Sequence, residues 1–245
     1  MTTQIAGSAT RQGPHARDFW LRMRGGGLLT VAVNQRVGAA LCVPAHRLGL
    51  APSVLTLLNL ILGVGGSVLL GLVATTRSGA GPLAGLGAFV LWQAAYCFDC
   101  ADGQLARYTE RSSEAGARLD VLCDLAVHAS VVVAIVVTAG AHVPQMPRWL
   151  GPAFACAVMI NLCASVMVTS GPAAGSLFAD NNRAIIRAGS LVFDYSVFLT
   201  AYAVLLIFMP DHLDLFLLAV TAVSTAFLLA RVAKAAAVSL RPRRR

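Results

Sequence analysis

The sequence predicts an all-α membrane protein with six transmembrane helices, preceded by a juxtamembrane amphipathic helix. Of the 245 residues, 57% are apolar and 12% are charged, whereas a soluble domain carries about 25% charged residues. The mean hydropathy is +0.72. Charge-free stretches also recur at the length of about 20 residues that crosses a bilayer as a helix. Together these features argue against a soluble enzyme or a nucleic-acid-binding protein.

The chain is expected to divide into three parts. Residues 1–26 are polar and basic, which predicts a flexible cytoplasmic tail. Residues 27–238 are expected to form the membrane domain. Residues 239–245 are rich in arginine and are expected to form a basic C-terminal tail.

The membrane domain is predicted to begin with a helix that lies in the membrane interface. Residues 27–47 mix apolar positions with polar ones such as Asn34 and Gln35, a pattern typical of such amphipathic helices. The charge-free stretches that follow then predict the membrane spans. These lie near residues 53–75, 80–105, 119–140, 149–171, 190–209 and 213–235.

The distribution of Lys and Arg residues predicts the orientation. Six spans place both termini on one side of the membrane, together with 17 Lys and Arg residues, whereas only Arg77 and Arg148 fall on the other side. Basic residues are enriched on the cytoplasmic side of membrane proteins. Both termini are therefore expected in the cytoplasm, with the chain in the plasma membrane in contact with its lipids. A homodimer is left open as an assembly.

Four aspartates are the strongest candidates for a functional site. Asp99 and Asp102 lie three residues apart, and Asp120 and Asp124 lie four apart, near the ends of two consecutive predicted spans. Each spacing places a pair on one helix face. Because carboxylates near lipid are costly and repel one another, a divalent cation is the expected partner. Oxygen ligands favour Mg²⁺ or Mn²⁺ over zinc.

Two other interpretations of this region are weaker. Each aspartate could cap a helix or pair with Arg107, Arg111 or Arg118, but four carboxylates on two faces rarely arise for capping alone. Cys97 and Cys100 form a CxxC pair that could bind zinc with a further cysteine. Small packing residues are the favoured interpretation of the cysteines, because carboxylates dominate the segment.

Residues between the aspartates complete a recognisable motif. Small residues leave room for a ligand close to the backbone, and Arg107 offers a charged fork to phosphate. The motif resembles the signature of the CDP-alcohol phosphatidyltransferase family, with all eight positions filled. It reads Asp99-x2-Asp102-Gly103-x2-Ala106-Arg107-x8-Gly116-x3-Asp120-x3-Asp124.

A second element agrees with this resemblance. Residues 52–56 read Pro-Ser-Val-Leu-Thr, and the family commonly has Pro-Asn-x-Leu-Thr at the start of the first span. Ser53 replaces the usual Asn, which leaves a role for that side chain open. The six predicted spans and the flanking amphipathic helix also resemble the family.

The resemblance implies a reaction and a division of roles. A CDP-linked lipid such as CDP-diacylglycerol would donate a phosphatidyl group to a small alcohol, releasing CMP in phospholipid biosynthesis. Two Mg²⁺ or Mn²⁺ ions would be held by Asp99, Asp102 and Asp120. Asp124 would complete the metal site and act as the base for the acceptor hydroxyl. The cytidine diphosphate pocket would be lined by Thr56, Gly103, Ala106, Arg107 and Gly116.

The acceptor is the least determined part of this interpretation. Some family members that use phosphorylated alcohols have a basic residue directly after the last aspartate, where this chain has Leu125. We therefore expect an unphosphorylated alcohol. Four residues are candidates for the acceptor site, and the three arginines among them are equally explained by the cytoplasmic charge bias. The candidates are Arg118, His128, Arg183 and Arg187.

Two other functions are open at this stage. An intramembrane prenyltransferase also uses paired aspartate motifs with Mg²⁺, but those proteins resemble a larger bundle with two distant motifs. A transporter could use an intramembrane cation site. The chain has no evident internal repeat, which weakens that alternative.

Overall fold

The computed structural model describes residues 13–23, 26–76, 81–170 and 194–240, with the side chains of 75–76, 165–170, 234 and 238 left aside. The described chain is built from helices joined by short connections. A π-helical turn, Thr30–Asn34, directly precedes the helix that begins at Gln35. The α-helices are α1 Ala16–Trp20, α2 Gln35–Arg47, α3 Pro52–Thr76, α4 Gly81–Tyr108, α5 Glu114–His142, α6 Leu150–Ser170, α7 Tyr195–Phe208 and α8 Leu213–Ser239.

Helices occur at all six positions where spans are predicted. By length and apolar composition, four of the described segments can cross a membrane, so the chain is an integral membrane protein. α6 and α7 contribute shorter apolar stretches, Leu150–Ala164 and Tyr195–Phe208. Six spans therefore stay a prediction. The four segments are Pro52–Ala74, Gly81–Tyr108, Glu114–His142 and Pro210–Ala237.

Helix α3 is the common packing partner of α4 and α5. Two glycines on α3 make these contacts close. A Cβ at Gly63 would lie 2.6 Å from the Val127 side chain on α5, and a Cβ at Gly66 would lie 3.0 Å from Trp92 on α4. Small residues allow such close helix packing in membranes. The two helices that carry the aspartates are thus held on one supporting helix.

The segment predicted to lie in the membrane interface buries two of its polar positions. Asn34 and Gln35 are 0% and 7% exposed and turn towards α4. Asn34 Nδ2 donates to Gln93 Oε1 at 2.9 Å, and Gln104 Nε2 donates to Gln35 Oε1 at 2.6 Å. Buried amides are stable when they are hydrogen-bonded in this way. Asn34 and Gln35 therefore attach this segment to α4. The local pattern of polar and apolar residues does not reveal these contacts.

Part of the expected flexible tail is folded. α1 lies within residues 1–26, and its Phe19 is fully buried beside Cys42 of α2 and Leu105 of α4. Burial of a large apolar side chain stabilises the docking of a short helix. The structure differs from the expectation here because the polar and basic composition of the tail does not reveal that Phe19 is buried. Residues 239–245 fall largely outside the described chain.

Asp194 joins the start of α7 to the segment before α2. Its carboxylate caps α7 by accepting from Ser196 N at 3.0 Å. It also accepts from the backbone N–H groups of Leu29 and Thr30 at 2.9 and 3.0 Å, and from Thr30 Oγ1 at 2.5 Å. Asp194 is 3% exposed. One buried carboxylate therefore holds together two segments that are 164 residues apart.

Candidate active site

The carboxylates predicted to form the site come together. Asp99 and Asp102 lie in the last three turns of α4, and Asp120 lies in the second turn of α5. One carboxylate oxygen from each of these three residues lies within 4.8 Å of the others. The helical spacing read from the sequence thus produces a compact oxygen cluster.

Asp124 lies next to this cluster. It interacts electrostatically with Asp99, Asp102 and Asp120. Its carboxylate is not among the three that form the closest group of ligand atoms. The position fits a carboxylate that works at the edge of a metal site rather than at its centre.

The cluster has the donor chemistry of a hard divalent cation. All its ligand atoms are carboxylate oxygens, the type that Mg²⁺ and Mn²⁺ prefer. Asp120 Oδ1 is buried and has no hydrogen-bond partner within the described chain. A buried carboxylate oxygen without a partner is costly, and a cation ligated there would remove that cost. The residues therefore fit a metal centre.

Capping of α5 and pairing with Arg118 are not the roles of these aspartates in the structure. Ser113, not an aspartate, caps α5, since its hydroxyl accepts from Gly116 N at 3.0 Å. Arg118 pairs with Glu114 at 2.5 Å, four residues away on the same helix. Helix capping and this ion pair are thus provided by other residues.

Thr56 supports one of the metal-site carboxylates. Its hydroxyl is buried and donates to Asp102 Oδ2 at 2.5 Å. Thr56 lies in the second turn of α3, so the α3–α4 contact brings the two side chains together. The sequence predicts Thr56 in the nucleotide pocket, and the structure adds that it orients a carboxylate. The motif in residues 52–56 identifies Thr56 as a site residue, but only the folded structure shows that Asp102 is its hydrogen-bond partner.

Arg107 lies over Gly103 at the end of α4. A Cβ at Gly103 would lie 2.9 Å from Arg107 Nη1, so the glycine leaves the space that the guanidinium occupies. Arg107 also interacts electrostatically with Asp120 of the cluster. Its Nε donates to the backbone oxygen of Arg22 at 2.6 Å. This contact with the N-terminal segment could not be predicted from the motif.

The remaining small residues of the motif flank the cluster. Ala106 lies one turn after Asp102 on α4, and Gly116 lies one turn before Asp120 on α5. Both are partly exposed. Their small side chains leave space on the two helix surfaces beside the carboxylates, which a nucleotide pocket would require.

The structure separates the acceptor-site candidates. Arg118 is 75% exposed and is paired with Glu114. His128 lies one turn beyond Asp124, to whose backbone oxygen its Nδ1 donates at 2.8 Å. The His128 ring packs on Tyr195 with a centroid distance of 4.1 Å. Arg183 and Arg187 lie outside the described residues.

His128 is one of the residues that line an apolar cavity of about 400 Å³. Helices α5, α6, α7 and α8 surround it, and most of its lining is aliphatic or aromatic. Arg231 also lines it, with Nη1 donating to the backbone oxygen of Asn161 at 3.3 Å. The cavity therefore has a largely apolar lining, and His128, one helical turn beyond Asp124, is part of that lining.

The cysteines form no metal group with one another among the residues described. All six are free thiols, and Cys97, Cys100 and Cys123 are buried. The ligand group found in this region consists of aspartates alone. The interpretation of the cysteines as small packing residues stays a prediction.

Comparison with known proteins agrees with the motif. The family model for CDP-alcohol phosphatidyltransferase matches residues 49–233, which include all four aspartates and the whole of α3, α4 and α5. No curated protein matches the chain. This match favours phosphatidyl transfer over prenyl transfer or transport. With a match over most of its length, the chain belongs to the CDP-alcohol phosphatidyltransferase family.

Proposed function

We propose that the protein transfers a phosphatidyl group from CDP-diacylglycerol, or a related CDP-linked lipid, to a small alcohol. CMP is the second product, and the reaction serves phospholipid biosynthesis. The observation that carries the proposal is the convergence of the Asp99, Asp102 and Asp120 carboxylates at the place where the family motif predicts them.

The aspartates have distinct roles in the proposed reaction. Asp99, Asp102 and Asp120 would hold two divalent ions, Mg²⁺ or Mn²⁺, with Asp124 at the edge of the site. When bound, such ions neutralise the charge of the diphosphate. Phosphoryl transfer depends mainly on positioning and charge stabilisation. The chain's own contribution is therefore to place the donor diphosphate and the acceptor hydroxyl in line.

Asp124 is proposed to accept the proton of the acceptor hydroxyl. The hydroxyl oxygen then forms a bond to the phosphorus that carries the lipid, and the bond from that phosphorus to the oxygen of CMP breaks. CMP leaves with the bonding electron pair. The electrostatic interaction of Asp124 with Asp99, one of the proposed metal ligands, supports this assignment.

The nucleotide is proposed to bind beside the ends of α4 and α5. Gly103, Ala106 and Gly116 provide space there, and Arg107 provides a cation for the diphosphate. Thr56 supports the pocket through its hydrogen bond to Asp102. The apolar cavity lined in part by His128 supports the proposal of a substrate with a lipid tail, because its lining is suited to hydrocarbon.

The site is proposed to face the cytoplasm, in a chain with six spans in the plasma membrane. The support is the placement of 17 of 19 Lys and Arg residues on one side of that topology. A reporter fused after Arg245 should be active only in the cytoplasm. Activity of that reporter outside the cell would contradict the orientation.

The decisive experiment is an assay of the purified protein in detergent micelles. The substrates are CDP-diacylglycerol, Mg²⁺ and single alcohols, and the readout is release of CMP together with formation of the lipid product. We expect CMP release that requires both the metal and one of the alcohols. A protein that binds Mg²⁺ but releases no CMP with any alcohol would contradict the proposed function.

A further inference from the structure

We propose that the N-terminal helix α1 acts as a clamp that positions Arg107 for the donor diphosphate. The inference rests on the proposed function and adds to it a positioning element outside residues 49–233, the part that matches the family. The clamp consists of the buried Phe19 and the backbone oxygen of Arg22.

Phe19 is the anchor of the clamp. It is fully buried, and its ring centroid lies 4.4 Å from that of Tyr108 and 6.0 Å from that of His46. His46 and Tyr108 also meet edge-on at 5.5 Å. A helix of five residues is not stable alone. Docking of Phe19, together with Ala16 and Trp20, against α2 and α4 therefore holds α1 in place.

The chain that leaves α1 reaches Arg107. Arg22 N donates to Phe19 O at 2.9 Å, so the turn after the helix is tied to the anchor residue. That turn presents the Arg22 backbone oxygen to Arg107 Nε at 2.6 Å. Because Arg107 immediately precedes Tyr108, one short stretch of α4 meets both parts of the clamp.

This contact restricts the side chain that the proposed function assigns to the diphosphate. An arginine loses considerable rotamer freedom when it binds phosphate. Here the Nε hydrogen bond restrains the guanidinium, whose Nη1 lies beside Gly103 and which interacts electrostatically with Asp120. A side chain that is already ordered binds its ligand at lower entropic cost. The clamp is therefore expected to strengthen donor binding rather than to take part in bond making.

The test compares Phe19→Ala with the parent protein. We expect KM for CDP-diacylglycerol to rise about tenfold, the size of one charge-assisted hydrogen bond, with kcat within about threefold of the parent. The Kd for CDP in the presence of Mg²⁺, measured by calorimetry, should rise by a similar factor. Phe19→Leu keeps most of the buried volume and should restore most of the affinity. Leu21→Ala, at the exposed neighbour, is the matched control and should match the parent.

A double variant shows whether Phe19 acts through Arg107. In an Arg107→Ala background, Phe19→Ala should change KM and Kd by less than about twofold, because the side chain that it positions is gone. Independent, additive effects of the two substitutions would overturn the clamp. So would parent-like KM and Kd in a correctly folded Phe19→Ala protein. If Phe19→Ala weakens CDP binding but the parent protein releases no CMP, the clamp stands and the proposed reaction fails.

Discussion

The Thr56 hydroxyl donates a hydrogen bond to Asp102 Oδ2 at 2.5 Å, linking the start of α3 to the carboxylate cluster. Asp102 is 5% exposed, so this bond satisfies an oxygen that water scarcely reaches. A hydrogen bond to a ligand carboxylate fixes its orientation towards a metal. Thr56 therefore connects the motif in residues 52–56 to the aspartate motif on α4.

Replacement of Thr56 by Val should weaken metal binding. Val keeps the branched shape but removes the donor to Asp102. We expect the Mg²⁺ concentration for half-maximal CMP release to rise about 10- to 100-fold, as for other residues that support metal ligands. Thr56→Ser retains the hydroxyl and is the control. An unchanged Mg²⁺ requirement in Thr56→Val would show that Asp102 is oriented without this bond.

Asp99→Asn and Asp102→Asn should each abolish activity while the protein still inserts into the membrane. Each change removes a charged ligand from the cluster, and the remaining amide binds divalent cations weakly. The measurements are CMP release and Mg²⁺ binding by calorimetry. Asp211→Asn, at an exposed carboxylate in the turn before α8, is the control and should behave like the parent. Full turnover of the parent in excess chelator would refute the need for a metal.

The convergence of Asp99, Asp102 and Asp120 could be predicted from the sequence because the relevant signals are local. The spacing of Asp99 and Asp102 sets their common face on a helix, and the same holds for Asp120 and Asp124. Helices occur at each predicted span for the same reason, since long apolar stretches are themselves local. The convergence of the two faces then needs only a short connection between consecutive helices.

The contacts that organise the site depend on residues far apart in the chain. Arg22 and Arg107 are 85 residues apart, and Thr30 and Asp194 are 164 apart. No periodicity encodes such pairs, because the two partners lie in different parts of the chain. Asp194 did carry a weak signal, since an acidic residue before an apolar run is typical of a helix N-cap.

Asp124→Asn should separate proton transfer from donor binding. An amide cannot accept the proton of the acceptor hydroxyl. Loss of a general base typically lowers the rate by about 10² to 10⁴, roughly 3–5 kcal/mol of barrier. We expect kcat to fall in this range while the Kd for CDP stays within about threefold of the parent. If the affinity for CDP collapses together with the rate, Asp124 is chiefly a metal ligand.

Asp194→Ala should destabilise the fold without a direct effect on chemistry. The substitution leaves the backbone N–H groups of Leu29, Thr30 and Ser196 without their shared acceptor. Buried donors that lose a charged acceptor cost about 1–3 kcal/mol each, so the loss should reach about 3 kcal/mol or more. The measurement is thermal unfolding in detergent, with Asp211→Ala as the exposed control. An unfolding midpoint equal to that of the parent would show that this link is not needed for stability.

The acceptor is predicted to be an unphosphorylated alcohol. A phosphate on the acceptor carries close to two charges and requires an Arg or Lys fork near the reacting hydroxyl. Leu125 provides none beside Asp124, and Arg118 is 75% exposed and paired with Glu114. We therefore expect serine, ethanolamine or inositol, rather than glycerol 3-phosphate or inositol phosphate, to support CMP release. Arg183 and Arg187, outside the described residues, are the best remaining sources of a phosphate site, so each alcohol should also be tested with Arg187→Ala. Turnover with phosphorylated alcohols alone, lost in Arg187→Ala, would overturn the prediction and assign the acceptor phosphate to the Arg183/Arg187 pair.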